Sequence, residues 1–83
     1  KARIPGVWVS DSFRGGNNGN TKTFEQTSHG FSKVLFANIE LMSGSSQVDY
    51  QPGITWDSAG KITIKWNDSD SDEVSWRIIV FGY

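Results

Sequence analysis

The chain has 83 residues, enough for one domain, and its eight basic and nine acidic side chains leave a net charge of -1. That balance supplies no basic field for nucleic acid and no basic amphipathic helix for a membrane surface, and no run approaches the roughly 20 apolar residues of a membrane span. Cysteine is absent, which excludes a disulfide scaffold or thiolate metal site, and a chain this short buries only about two thirds of its unfolded surface, so oligomerisation is the expected extra source of stability.

Lys1 stands where a translated chain has Met, which reads as a processed product or a domain cut from something longer. Residues 1–6, closing on Pro5-Gly6, read as the exit from a preceding segment, with residues 7–83 as a single β-sandwich domain. Residues 6–10 predict a short strand carrying Trp8. Residues 12–20, rich in Gly and Asn, read as a polar loop that contributes nothing to a core. A strand follows at 21–26 with the lone large apolar residue Phe24, and then a turn at Ser28-His29-Gly30. Residues 33–41 form the strongest central-strand candidate, apolar on both faces at first and alternating later.

An extended segment at 47–57 is interrupted by Pro52-Gly53, which favours a bulge or an edge position. Asp57-Ser58-Ala59-Gly60 is a tight turn into residues 61–66. There Ile62, Ile64 and Trp66 share one face, and Lys61, Thr63 and Lys65 the other, the period of a half-buried strand. The polar loop 67–72 is expected to turn the chain back as a hairpin. In the last strand Val74, Trp76, Ile78 and Val80 continue the buried face, but Ile79 and Phe81 make the opposite face apolar too. One core does not account for that strand, so a second buried surface is needed from another sheet element or another subunit. No useful length has helical periodicity, and the whole predicts an all-β sandwich of five or six strands.

Catalysis has thin support. His29 is the single histidine, and a Ser28-His29 pair would need an orienting carboxylate such as Asp11 or Asp49 brought to it by the fold; His29 before Gly30 reads as a loop residue. Asp68, Asp70 and Asp72 alternate like the first half of a calcium loop. Glu73 then stands where that loop needs Gly, and Ile79 where it needs a bidentate acid, so a solvated acidic turn is expected and neither metal nor cofactor. The same carboxylates can accept hydrogen bonds from sugar hydroxyls while aromatic rings offer a stacking face. Of the four tryptophans, Trp66 and Trp76 read as core, whereas Trp8 and Trp56 are open between core and surface.

From about Thr23 the order of features resembles the H-type lectins. An early strand has a lone Phe24, a hydrophobic strand covers 34–41, and residues 48–60 turn through a Gly-containing loop into the alternating strand 62–66. A polar loop then leads to Ser75-Trp76-Arg77-Ile78-Ile79. The resemblance implies a small six-stranded antiparallel β-sandwich that assembles as a homotrimer and binds galactose-type sugars at clefts between subunits. The chain departs from the family at Gln51-Pro52, near a position where a strand arginine grips the sugar, and at Asp68, Ser69 and Asp70, where an aromatic residue or His is usual.

The small trimeric sandwich is also similar to domains at the tips of bacteriophage tail fibres. The expectation is therefore a carbohydrate-binding, host-receptor recognition domain, in a virion or outside the cell, with no nucleic acid partner and no membrane insertion. A free-standing lectin and a non-binding trimerisation cap are the alternatives. The expected ligand site combines acceptors from Asp68, Asp70 and Asp72 with Trp56 and Tyr50 as stacking surface. Asp11 and Arg14 would complete it from the amino-terminal loop of a neighbour.

Overall fold

Trp76, Ile78 and Val80 point alternately from the last strand into the interior and are each at most 1% exposed. Full burial of such side chains contributes about 1.5–3 kcal/mol apiece, and a strand carrying three of them belongs in the middle of a sheet. The computed structural model, which describes residues 4–15, 21–43, 52–66 and 74–83, places it there. Its elements in chain order are β1 (Gly6–Val9), β2 (Phe13–Gly15), β3 (Thr21–Phe24), α1 (Gln26–His29), β4 (Val34–Ser43), β5 (Gly53–Trp56), β6 (Ile62–Lys65) and β7 (Val74–Gly82).

Two antiparallel sheets make up the fold. In the first, β7 is flanked on one side by β4 and on the other by β1 and β2 in succession. In the second, β6 lies between β3 and β5. Ile62 and Ile64 of β6 and the following Trp66 are buried against Trp76, Ile78 and Val80, with Val34, Ala37 and Ile39 of β4 filling the same core.

Three expectations need correcting. β6 and β7 do not form a hairpin: each is the central strand of a different sheet, so the chain crosses between sheets after Trp66. Alternation tells which side chains face inward but not which strand pairs with which, and two strands with fully buried faces are satisfied best at two sheet centres facing each other. The loop read over 12–20 also loses its first part to β2, where Phe13 turns inward opposite Trp76.

Finally, the described residues form seven strands rather than six, because the edge strand beside β7 is broken. Val9 pairs with Ile79 and Phe13 with Trp76, so the edge uses one residue more than β7 over the same interval, the geometry of a bulge. Ser10 bridges the break. Its N–H donates to the Ile78 carbonyl at 3.0 Å, and its side-chain Oγ accepts from the Ile78 N–H at 2.9 Å, replacing the ladder carbonyl that the bulge turns away.

A second bulge has a larger effect on the surface. Val34 pairs with Gly82 and Phe36 with Phe81, leaving Leu35 as an extra residue. Since one residue of slip exchanges the two faces of a strand, Phe36 turns outward, and the register resumes with Ala37 and Ile39 inside. The outer face of the first sheet thereby acquires the cross-strand row Val7, Phe81, Phe36, followed by Val9, Ile79, Asn38. Val7, Val9, Phe36 and Phe81 are exposed and Ile79 is half-buried. Below them Arg77 donates from Nε and Nη2 to Glu40 Oε1, at 3.1 and 2.8 Å, a polar border to an apolar patch.

The two ends of the sandwich differ. Gly15, Ser43 and Val74 are neighbours in one sheet and Thr21, Gly53 and Lys65 in the other; at this pole the chain leaves and re-enters the described structure. At the opposite pole lie α1, the turn after β5 and the end of β7.

Ser10→Ala leaves the buried Ile78 N–H without its acceptor and is expected to cost about 1–3 kcal/mol, read as a lowered denaturation midpoint with unchanged urea slope. The two buried indoles give a contrasting pair. Trp76 donates its Nε1–H to the Gly15 carbonyl at 2.9 Å, whereas the buried Trp66 Nε1 has no hydrogen-bond partner among the described residues. Trp66→Phe is therefore expected to be less destabilising than Trp76→Phe, which loses a buried bond as well as ring area.

Candidate functional site

At the pole formed by the turn after β5, a cleft of about 320 Å³ opens between that turn and the start of β4, lined by Ser32, Lys33, Val34, Trp56, Asp57 and Ser58. The volume lies at the lower end of small-molecule sites, roughly 300–1,000 Å³. Trp56 is the aromatic surface, 37% exposed. Its ring meets the edge of Phe36 at 6.3 Å and 76°, and Phe36 in turn lies 6.1 Å from Phe81. The rings connect the cleft to the apolar outer face of the first sheet.

Both walls are held by backbone bonds. Ser32 and Lys33 donate their N–H groups to the Tyr83 carbonyl at 2.7 and 3.0 Å, and Tyr83 N–H donates to the Lys33 carbonyl at 3.1 Å, extending the ladder of β4 and β7. On the other wall Asp57 Oδ1 accepts from Ala59 N–H and Lys61 N–H, each at 3.0 Å. Gly60, at φ 89°, donates its N–H to the Asp57 carbonyl, a left-handed position that suits glycine. Among the described residues nothing bonds Asp57 Oδ2, so one carboxylate oxygen shapes the turn and the other faces solvent. The residues lining this one shallow space thus include an indole, a carboxylate, two serines and a lysine.

His29 serves this architecture. Its Nε2 bonds the Gly60 carbonyl at 2.7 Å, its Nδ1 accepts from Phe31 N–H at 3.0 Å, and its ring stacks on Phe31. With both nitrogens engaged, the bonded tautomer is the one with the proton on Nε2. The histidine ties α1 to the turn after β5, a structural duty that its place in a polar turn did not suggest.

Of the sequence-predicted site residues, Trp56, Asp11 and Arg14 fall among the described residues, and Trp56 lies apart from the other two within the chain. Trp56 lines the cleft described above. Asp11 sits in the bulge between β1 and β2, on the far side of the first sheet from β4, and lines a separate cleft; Arg14 lies in β2 opposite Ser75. Tyr50, Asp68, Asp70 and Asp72 lie outside the described residues. Trp66 and Val74, which flank the acidic segment, belong to the pole opposite Trp56.

Asp57, Ser58, Ser32 and Lys33 were missed as site residues. The tight turn at 57–60 was legible, but its closeness to residues 32–33 depends on β4 and β5 coming together from different sheets. Comparison with protein-family models, with curated proteins and with solved structures found no match in any of the three, and function is accordingly argued from the site.

His29→Ala removes two hydrogen bonds and two ring contacts, with Phe31 and Trp8, and is expected to lower the thermal midpoint and loosen the turn at 57–60. Amide exchange at Gly60 and Phe31 checks this: a loss of protection confined to α1 and the turn is the expected pattern, and unchanged protection at both refutes it.

Proposed function

We propose that this chain is a carbohydrate-binding, lectin-like domain that recognises a host-surface glycan as a homotrimer, at the tip of a phage tail fibre. The observation that carries the reading is the cleft at Trp56, where an exposed indole stands beside a carboxylate and two hydroxyls on backbone held by hydrogen bonds. A sugar ring needs this combination. Its C–H face stacks on an aromatic ring, its hydroxyls donate to a carboxylate and exchange hydrogen bonds with serines, and a preorganised site spends little entropy on ordering. The acidic segment with Asp68, Asp70 and Asp72, together with Tyr50, Asp11 and Arg14, remains the proposal for further contacts, drawn from more than one subunit.

Assembly is supported by the outer face of the first sheet. Val7, Val9, Phe36, Ile79 and Phe81 form an apolar patch across three strands, and the natural cover is further copies of the same chain. Fully burying Phe81 contributes on the order of 2 kcal/mol per subunit. The same patch favours a second reading, a trimerisation cap for a fibre that binds no ligand, since its burial needs only self-association.

Light scattering at micromolar concentration is expected to give a trimer, weakened far more by Phe81→Asp than by Lys65→Asp on the outer face of the other sheet; a well-folded monomer overturns the assembly. A glycan array and whole-cell adsorption then separate binding from capping. Trp56→Ala and Asp57→Asn, each verified as trimeric, are expected to weaken glycan binding tenfold to a hundredfold, the equivalent of about 1.5–3 kcal/mol for a hydrogen bond to a charged group. Asn keeps the acceptor that builds the turn. Silence across the array and against host cells would leave the cap.

A further inference from the structure

The opposite edge of the sandwich carries a second cleft, of about 240 Å³, whose lining includes Trp8, Asp11, Phe13, Lys22 and Phe24. Phe24 meets Trp8 edge-on at 5.9 Å and 70°, and meets Phe13 at 5.4 Å and 61°, so the rings form a corner.

Lys22 occupies this corner in an unusual way. Its register partner is the fully buried Ile64, and Phe24 two residues on pairs with Ile62, which puts Lys22 on the inward face of the edge strand β3. The side chain escapes burial by laying its ammonium against the rings, 5.8 Å from the centroid of Phe13 and 5.4 Å from that of Phe24. Both distances fall within the roughly 6 Å over which a cation is attracted by a ring quadrupole. Asp11 adds a carboxylate that makes no hydrogen bond or ion pair among the described residues.

We propose that this cleft is a binding site for a small soluble organic ammonium ion, a methylated amine or choline-type group, and that Lys22 is its resident stand-in. The site offers the two rings that Lys22 covers, a third aromatic residue, Trp8, in the lining, and the Asp11 carboxylate, against a single flexible ammonium that can swing out to solvent at little cost when a ligand cation enters. A quaternary ammonium is the better occupant, because it loses less hydration than the lysine head and touches several rings at once. The cleft lies across the sandwich from Trp56 and is independent of the glycan reading.

The experiment is a titration of the full chain with choline, followed by NMR at the Trp8 indole and the Phe24 amide, in parallel with 3,3-dimethyl-1-butanol, its uncharged isostere, at matched ionic strength. Saturable shifts with choline, and at least severalfold weaker binding of the isostere, are expected. Lys22→Met, which keeps an apolar stem and removes the competitor, is expected to tighten choline binding roughly three- to tenfold, and Asp11→Asn to weaken it by a similar factor. Equal affinity for choline and its isostere, or no saturable shift at millimolar choline, overturns the proposal. So does an unchanged affinity in Lys22→Met, which would leave Lys22 as a guard of the sheet edge alone.

Discussion

The meeting of β6 and β7 across the interior is the contact on which everything else in this sandwich depends. Trp66 and Trp76 approach edge to face at 6.4 Å, Ile62, Ile64, Ile78 and Val80 lie fully buried around them, and each strand has neighbours on both sides within its own sheet. Trp76 is anchored through its indole to Gly15, and a β-carbon at Gly15 would strike the Trp66 ring, so β2 is fitted to the tryptophan pair. The Trp66 Nε1, which has no partner among the described residues, is a buried polar group whose cost, on the order of 1–3 kcal/mol, is offset by the ring area placed in the core.

Around that centre, bulges distribute function. The bulge at Ser10 turns Asp11 and Ser12 out of the ladder toward the ring corner of Trp8, Phe13 and Phe24. The bulge at Leu35 turns Phe36 outward, between Trp56 and Phe81. A regular β4 would have carried Phe36 into the interior and separated the Trp56 cleft from the apolar face. Two irregularities of one residue each therefore create both clefts' surroundings, while the central strands stay regular.

Burial was far more legible in the sequence than pairing was. The alternation of Ile62, Ile64 and Trp66, and of Trp76, Ile78 and Val80, marked the core correctly because period two is a local property of the chain. The apolar second face at Ile79 and Phe81 was equally readable, and Phe81 is 41% exposed. What alternation cannot encode is the identity of the neighbouring strand, and so a hairpin was expected where the chain changes sheets. Phe13 was lost among glycines and asparagines, since three residues are too few to show a period. Trp56 was named as a stacking surface, but its partners came from the turn beside it and from Ser32 and Lys33, a meeting made only by the two sheets coming together.

The pairing of β1 with β7 bears on how the domain would carry mechanical load. Gly6 lies opposite Gly82, and the ladder runs from there to Val9 and Ile79. Tension applied between those two ends acts across the strands and opens their hydrogen bonds one pair at a time, like a zipper, beginning with the pair nearest the pull. Force entering through β1 and leaving through Trp56 on β5 instead has to cross from one sheet to the other, and there the side chains of the shared core resist it together.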